Sequence, residues 1–271
     1  MAEILLFKPL NLMIPELTAT RFLKVMGSGR TQPCLLVGED AEGNEVEVVM
    51  KLRGHPQIMP GGMVAEAMAS LLATDLGLPV PPPYRMKIEK EFAQTVPDPA
   101  LRGHLEKSEG LNFASGRWAA GHAIWPKDRF IPKTLKPAAM EIFAFDGLIQ
   151  NPDRRAVNPN CVFLGDELML YDHESAFSHF LDFIPKPPWE PGGMNCLNEH
   201  IFRQELRGEA LELDRFQGAL EALDEGRFQG YLSAIPSEWN GETVSADKIA
   251  EYLLNCIPHF DRMKLQLQSL L

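Results

Sequence analysis

The spacing of apolar residues changes once along this chain, and that change limits the fold more than any single motif. Over residues 19–52 the runs ATRFLKVM, PCLLVGED and EVEVVMKL are separated by the turn formers GSGRTQ and AEGN. Short strands with such short connections pair antiparallel and in sequence. MVAEAMASLLATDLG then carries apolar residues at helical spacing and closes on Gly77, a helix-ending residue. After PVPPPY, which is not helix, YRMKIEKEF alternates and predicts another strand. Residues 95–135, with Pro, Gly and two Trp, read as a connector, and LNFASGRWAAG within it as a hinge. Beyond it the period becomes 3.6 in KPAAMEIFAFDGLIQ, NEHIFRQEL, ALELDRFQGALEAL and ADKIAEYLLNCIPHFDRMKLQLQSLL. Ser245 is the expected N-cap of the last, and Pro258 should kink or break it. One hairpin, CVFL and LMLYD joined at Gly165-Asp166, interrupts the helical part.

Strands grouped ahead of helices predict an α+β chain. The expectation is a small antiparallel sheet with one helix, followed by a mainly helical half. A single domain is expected over residues 1–271: a sheet-rich part at 1–110, a connector at 111–135 and a helical part at 136–271.

Composition excludes several classes. The net charge of −11 is opposite to the basic surplus by which proteins bind nucleic acid. No apolar run reaches the about 18 residues of a membrane span. The start, MAEILLFKPLNLMIPEL, places Glu3 and Lys8 in its apolar part and lacks a basic leader and a small-residue cleavage site, so it is not read as a signal peptide. Cys34, Cys161, Cys196 and Cys256 are scattered without a C-x-x-C pair, which argues against structural zinc and for free thiols in a reducing cytoplasm.

The sharpest local signal is NPDRRAVNPNCVFLGDELMLYDHESAF, residues 151–177. Asp153, Asn158 and Asp172 sit at the ends of a strand pair in a segment poor in helix signals. Each has an ordinary reading: Asn, Pro and Asp form turns, and Asp172 would cap a helix. Elsewhere the chain holds partners for them. Glu66 is a lone carboxylate on a largely apolar helix and needs a cation; Lys51, at the end of VVMKL, is the obvious one. Gly27 and Gly29 in MGSGRTQ leave backbone N–H groups free to approach an anion, although Gly-Ser-Gly between strands is most often only a turn. A phosphate cover, a cation, metal ligands and a group that orients a hydroxyl are what phosphoryl transfer from ATP requires. One Asp and one Asn suffice for Mg²⁺, which keeps waters and phosphate oxygens as its other ligands.

The pattern N-x-D-R-x4-N, then a strand and D-H-E-S-A-F, resembles the HipA-like kinases, and its Asp-Arg…Asn core is similar to that of phosphoinositide kinases. The helix FAFDGLIQ leads straight into NPDRR, as similar helices do in the HipA-like family. The resemblance runs from about residue 20 to about residue 180. It implies a two-lobed protein-kinase-like fold, ATP and Mg²⁺ as cofactors, and a protein Ser or Thr hydroxyl as acceptor. Asp153 would orient the hydroxyl, Asn158 and Asp172 would bind Mg²⁺, Lys51 would contact the α- and β-phosphates, and Glu66 would brace it. Gly27, Ser28, Gly29 and Arg30 would form the phosphate loop, with Ser28 a site of phosphorylation. A regulatory protein partner is implied as well. The chain departs from the pattern in having Asp172-His173-Glu174 where many kinases have Asp-Phe-Gly, and in lacking an Ala-Pro-Glu motif. It is also shorter than a full HipA toxin, so neither the toxin's target nor its antitoxin carries over. Arg154 and Arg155 either stabilise phosphate charge or pair with nearby acids. His173 is either a proton relay or a packed residue. The rival readings are a lipid or small-molecule kinase on the same fold, and a nucleotide-binding pseudokinase or interaction module.

Overall fold

A computed structural model describes residues 14–27, 31–127 and 129–271. Strands β1 (Glu16–Val25), β2 (Cys34–Glu39) and β3 (Glu45–Met50) form the expected antiparallel meander. Helix α1 (Gly62–Asp75) follows, then β4 (Pro83–Ile88), two short helices α2 (Lys90–Gln94) and α3 (Pro99–Glu106), and β5 (Gly110–Gly116). The five strands close into a barrel in the order β1-β2-β3-β5-β4.

The barrel corrects three expectations. Its sheet is not antiparallel throughout, because β4 lies parallel to β1, with Glu16 opposite Arg85 and Thr18 opposite Lys87. Hairpins cannot make such a pair; the chain must travel away and return in the same direction, and α1 lies on that path. Nor does this part hold a single helix. YRMKIEKEF leaves the strand at Ile88 and turns into α2, while α3 starts with Pro99 in its first turn and Asp98 accepting the Leu101 N–H at 2.9 Å. Finally, β5 lies inside the stretch read as connector. Its neighbours Phe113 and Ala114 point into different cores, as successive strand residues must.

Leu17, Leu36, Val48, Met50, Met86, Ile88 and Ala114 fill the barrel. Gly38 is tightly enclosed there: a Cβ would stand 2.6 Å from Met86 Cε and 2.9 Å from Leu17 Cβ. Helix α1 is buried on nearly every side and belongs to the second, larger core shared with the helical part. At its end Gly77, with φ of 68°, lets the Gly77 N–H reach Thr74 O at 3.1 Å and the Leu78 N–H reach Ala73 O at 2.8 Å.

Past the barrel, β6 (Ala123–Ile124) pairs with β7 (Cys161–Leu164), which pairs with β8 (Glu167–Leu170) across the turn at Gly165-Asp166. Helix α4 (Lys136–Leu148) precedes this hairpin, and α5 (Asp214–Glu221), α6 (Glu225–Ala234), α7 (Ala246–Cys256) and α8 (Phe260–Ser269) follow it. A 3-10 turn at Ile257–His259 separates α7 from α8 at Pro258. NEHIFRQEL forms turns rather than a helix. Phe202 and Leu206 are buried at helical spacing and the Leu206 N–H reaches Phe202 O at 3.0 Å, but the Ile201 N–H goes to Arg154 O at 3.1 Å and the His200 ring to Asp146, so no continuous helical ladder forms. Ser245 occupies the N-cap position of α7 as expected, but its side chain makes no capping bond, and Asn240 Oδ1 accepts the Ala246 N–H at 2.8 Å. Among the described residues no helix is long and apolar enough to cross a membrane.

Candidate active site

Strand β3 delivers Lys51 to the mouth of the barrel, where its own N–H is fixed on Phe113 O at 3.0 Å. The ammonium meets three carboxylates. Glu66, from α1, forms a direct ion pair; Asp172 Oδ1 lies at 2.6 Å and Glu174 Oε2 at 3.0 Å. Lys51 and Glu66 are both buried. Burial opposes the charge on Lys51, yet the carboxylates of Asp172, Glu66 and Glu174 outweigh it and hold the ammonium well above the usual lysine range. Burial likewise opposes the charge on Glu66, and Lys51 with the His173 N–H outweighs it, so Glu66 ionises well below the usual carboxylate range.

Asp172 stands just beyond β8 with φ of 58°, a left-handed conformation uncommon for a residue with a Cβ. It caps no helix: turns follow it, then a 3-10 segment at Ser178–Leu181. The His173 N–H donates to Glu66 Oε2 at 2.9 Å, which ties this turn to α1. The His173 ring is buried edge-on against Phe145 with centroids 5.8 Å apart, so it is a packed histidine.

Asp153 and Asn158 share one loop between α4 and β7. Asn151 Oδ1 accepts the Asp153 N–H at 3.1 Å, and the backbones of Arg155 and Asn158 exchange hydrogen bonds at 3.0 Å each way. This turn sets Asn158 Nδ2 2.9 Å from Asp153 Oδ2. Arg155 Nη2 donates to Asp153 Oδ1 at 3.1 Å, and its Nη1 lies 3.6 Å from Glu199.

The two arginines have different fates. Arg154 is fully buried on Asp146, with Nε 2.5 Å from Oδ2 and Nη2 3.2 Å from Oδ1. Its Nη1 donates to Asn160 O and, at 3.4 Å, to Tyr171 O. One guanidinium thus fastens α4, the loop carrying Asp153 and Asn158, and the residue before Asp172. Arg155 is the one left at the surface, with 40% of its side chain exposed.

Asp146, His200 and Glu174 belong to this framework and have no place in the sequence-based set. Asp146 takes Asn151 Nδ2 at 3.0 Å and His200 Nε2 at 2.9 Å besides Arg154. A carboxylate inside the apolar helix FAFDGL carries the same signal that marks Glu66. Glu174 and His200 leave no such trace. Of the phosphate-loop candidates, Gly27 follows β1 near the Met26–Pro33 backbone bond of 2.8 Å, which closes the neck of the β1–β2 hairpin; Ser28, Gly29 and Arg30 lie outside the described residues. The expected hinge LNFASGRWAAG divides: its first part is β5, and residues 117–121 lead to β6. Trp118 packs there on Tyr171, centroids 5.0 Å apart, beside an open surface depression lined by Val46, Arg117 and Trp118.

The structure therefore joins a buried lysine and its carboxylate partner on α1 to an acidic turn more than 100 residues further along the chain, next to a loop that pairs an Asp with an Asn. The sequence model of the HipA-like kinases matches residues 19–264, spanning both the barrel and the helices. The chain belongs to the HipA-like kinase family. Its class of activity is accordingly phosphoryl transfer. Among solved structures, this HipA-like chain is similar to the Helicobacter pylori proinflammatory kinase CtkA, with 12% identity, a TM-score of 0.46, and coverage of 94% of this chain and 97% of that one. No curated protein matches it.

Proposed function

We propose that this HipA-like kinase is a two-lobed, protein-kinase-like enzyme that binds Mg·ATP between barrel and helical part and transfers the γ-phosphoryl group to a protein Ser or Thr hydroxyl. The observation that carries this reading is the position of Lys51 Nζ, shared between Glu66 of α1 and Asp172 at 2.6 Å. Surface charges have no reason to converge in a buried place from β3, α1 and the end of β8.

In this reading Lys51 holds the α- and β-phosphates and Glu66 keeps its ammonium charged and aimed. Asp172 and the amide oxygen of Asn158 supply hard oxygen ligands, which is the donor set Mg²⁺ prefers. When bound, the ion offsets the negative charge of the phosphates. Asp153, held in place by Asn158 Nδ2 and Arg155, accepts the proton of the acceptor hydroxyl. Arg154 stays on Asp146 throughout and positions the loop rather than touching phosphate. The family resemblance assigns Gly27, Ser28, Gly29 and Arg30 to the phosphate loop. The protein acceptor rests on family resemblance, and the charge of −11 favours it over a lipid on an anionic membrane. The four free thiols fit a cytoplasmic, reducing setting.

Binding is the direct test. Mg·ATP in large excess over its Kd should raise the melting temperature of the wild-type protein by several degrees, since a ligand at about 100 times Kd stabilises by about 2.7 kcal/mol. Asp172→Asn should lose the magnesium-dependent part of that shift. No shift in the wild-type protein with Mg·ATP contradicts the proposal.

A further inference from the structure

We infer that Glu174 is a positioning residue for Lys51, a second brace that keeps the lysine on the phosphates when Asp172 turns to the metal. The inference rests on the kinase reading of the site.

Three contacts carry it. Glu174 Oε2 is 3.0 Å from Lys51 Nζ, and Oε1 accepts the Met59 N–H at 3.3 Å, so one buried carboxylate spans the end of β3 and the loop entering α1. Gly62, in the first turn of α1, presses against it: a Cβ there would stand 2.8 Å from Glu174 Cγ. The Glu174 side chain therefore has both oxygens engaged and a wall behind it, unlike a solvated surface acid. Glu174 also follows Asp172 by two residues on the same turn.

The Lys51 ammonium donates to Asp172 and Glu174 and forms an ion pair with Glu66. A metal held by Asp172 would compete with Lys51 for its carboxylate. Glu66 alone would then hold Lys51 from the side of α1, with nothing fixing it relative to the metal ligand. Glu174 supplies that link, because it grips Lys51 from the very turn that carries Asp172. The phosphate cation and the metal ligand thereby keep a set separation. A glycine at this position, as in Asp-Phe-Gly, has no side chain with which to do so.

A brace of this kind has a signature that a merely structural residue lacks. Affinity is measured by calorimetry for Mg·ATP and for ATP in EDTA, with wild type, Glu174→Gln and Gly62→Ala; the last displaces Glu174 without removing its charge. Both variants should raise the Kd for Mg·ATP by about tenfold while changing that for metal-free ATP by less than about twofold, because only the magnesium complex draws Asp172 away from Lys51. Equal weakening of both forms, or unchanged Mg·ATP binding in Glu174→Gln, overturns the inference. If the wild-type protein binds neither form, the kinase reading fails on its own account. The brace is then judged from unfolding midpoints of Glu66→Gln, Glu174→Gln and the double variant without nucleotide. Non-additive midpoints support a shared ammonium, and additive ones rule it out.

Discussion

Arg154 Nε lies 2.5 Å from Asp146 Oδ2, and neither side chain has any solvent exposure. Burial opposes both charges, yet each holds the other ionised: Arg154, with His200 beside it, keeps Asp146 well below the usual carboxylate range, and Asp146 raises Arg154. The pair stands one residue from Asp153 and is the bolt between α4 and the loop that carries it.

Removing one partner strands the other in the core. Asp146→Ala should destabilise the fold by about 3–5 kcal/mol, as for other broken buried pairs, and lower the urea midpoint accordingly. A loss below about 1 kcal/mol would mean that the guanidinium finds water and that the loop is fastened otherwise.

The next arginine should behave differently. Arg155 is 40% exposed, Glu199 is at the surface and Asp153 is half-buried, so Arg155→Met should change stability by no more than about 1 kcal/mol. Arg154→Met should cost several times as much. Equal midpoints for the two variants would contradict the division of labour between them.

His179 gives a pH dependence of known sign. Its ring lies between Phe180 and Tyr252, each with centroids 4.2 Å away, and neither nitrogen has a hydrogen-bond partner among the described residues. Burial pushes it down to about 4. An unfolded histidine titrates near about 6.5, so between these values the unfolded state binds a proton that the native state does not. Stability therefore rises with pH across this window, and about 2–3 kcal/mol is lost on acidification from about 6.5 to about 4. His179→Leu should flatten that part of the curve of denaturation midpoint against pH; an unaltered slope would place the dependence on other groups.

Gly38 tests the barrel. A methyl group there meets Leu17 Cβ at 2.9 Å as well as the flexible end of Met86, so Gly38→Ala should destabilise by about 1–3 kcal/mol through overpacking. An unchanged midpoint would show that β1 and β4 yield more readily than close packing allows.

What was legible in the sequence follows from the range of each signal. The meander, α1 with Gly77 and the β7–β8 hairpin were readable because periodicity and turn residues act over a few neighbours. Lys51 and Glu66 were readable as a pair because a buried lone carboxylate demands a cation, and Asp146 obeys the same rule with Arg154. The parallel β1–β4 pairing was not readable, since Glu16 and Arg85 meet across a long stretch of chain with no local mark of it. NEHIFRQEL shows the limit of periodicity: Phe202 and Leu206 are buried at helical spacing, but Ile201 spends its N–H on Arg154. Glu174 was hidden for a related reason. A charged residue in a turn resembles a surface residue until the turn folds onto Lys51.

The most direct measurement is transfer of label from γ-labelled ATP with Mg²⁺, followed into protein alongside loss of ATP, for the wild type, Asp153→Ala and Asp172→Asn. Transfer or turnover by the wild type that is lost in both variants, while both keep the wild-type fold by circular dichroism, is the predicted result. Turnover that persists in Asp153→Ala and Asp172→Asn, or none in the wild type, would contradict the assignment of this site to phosphoryl transfer.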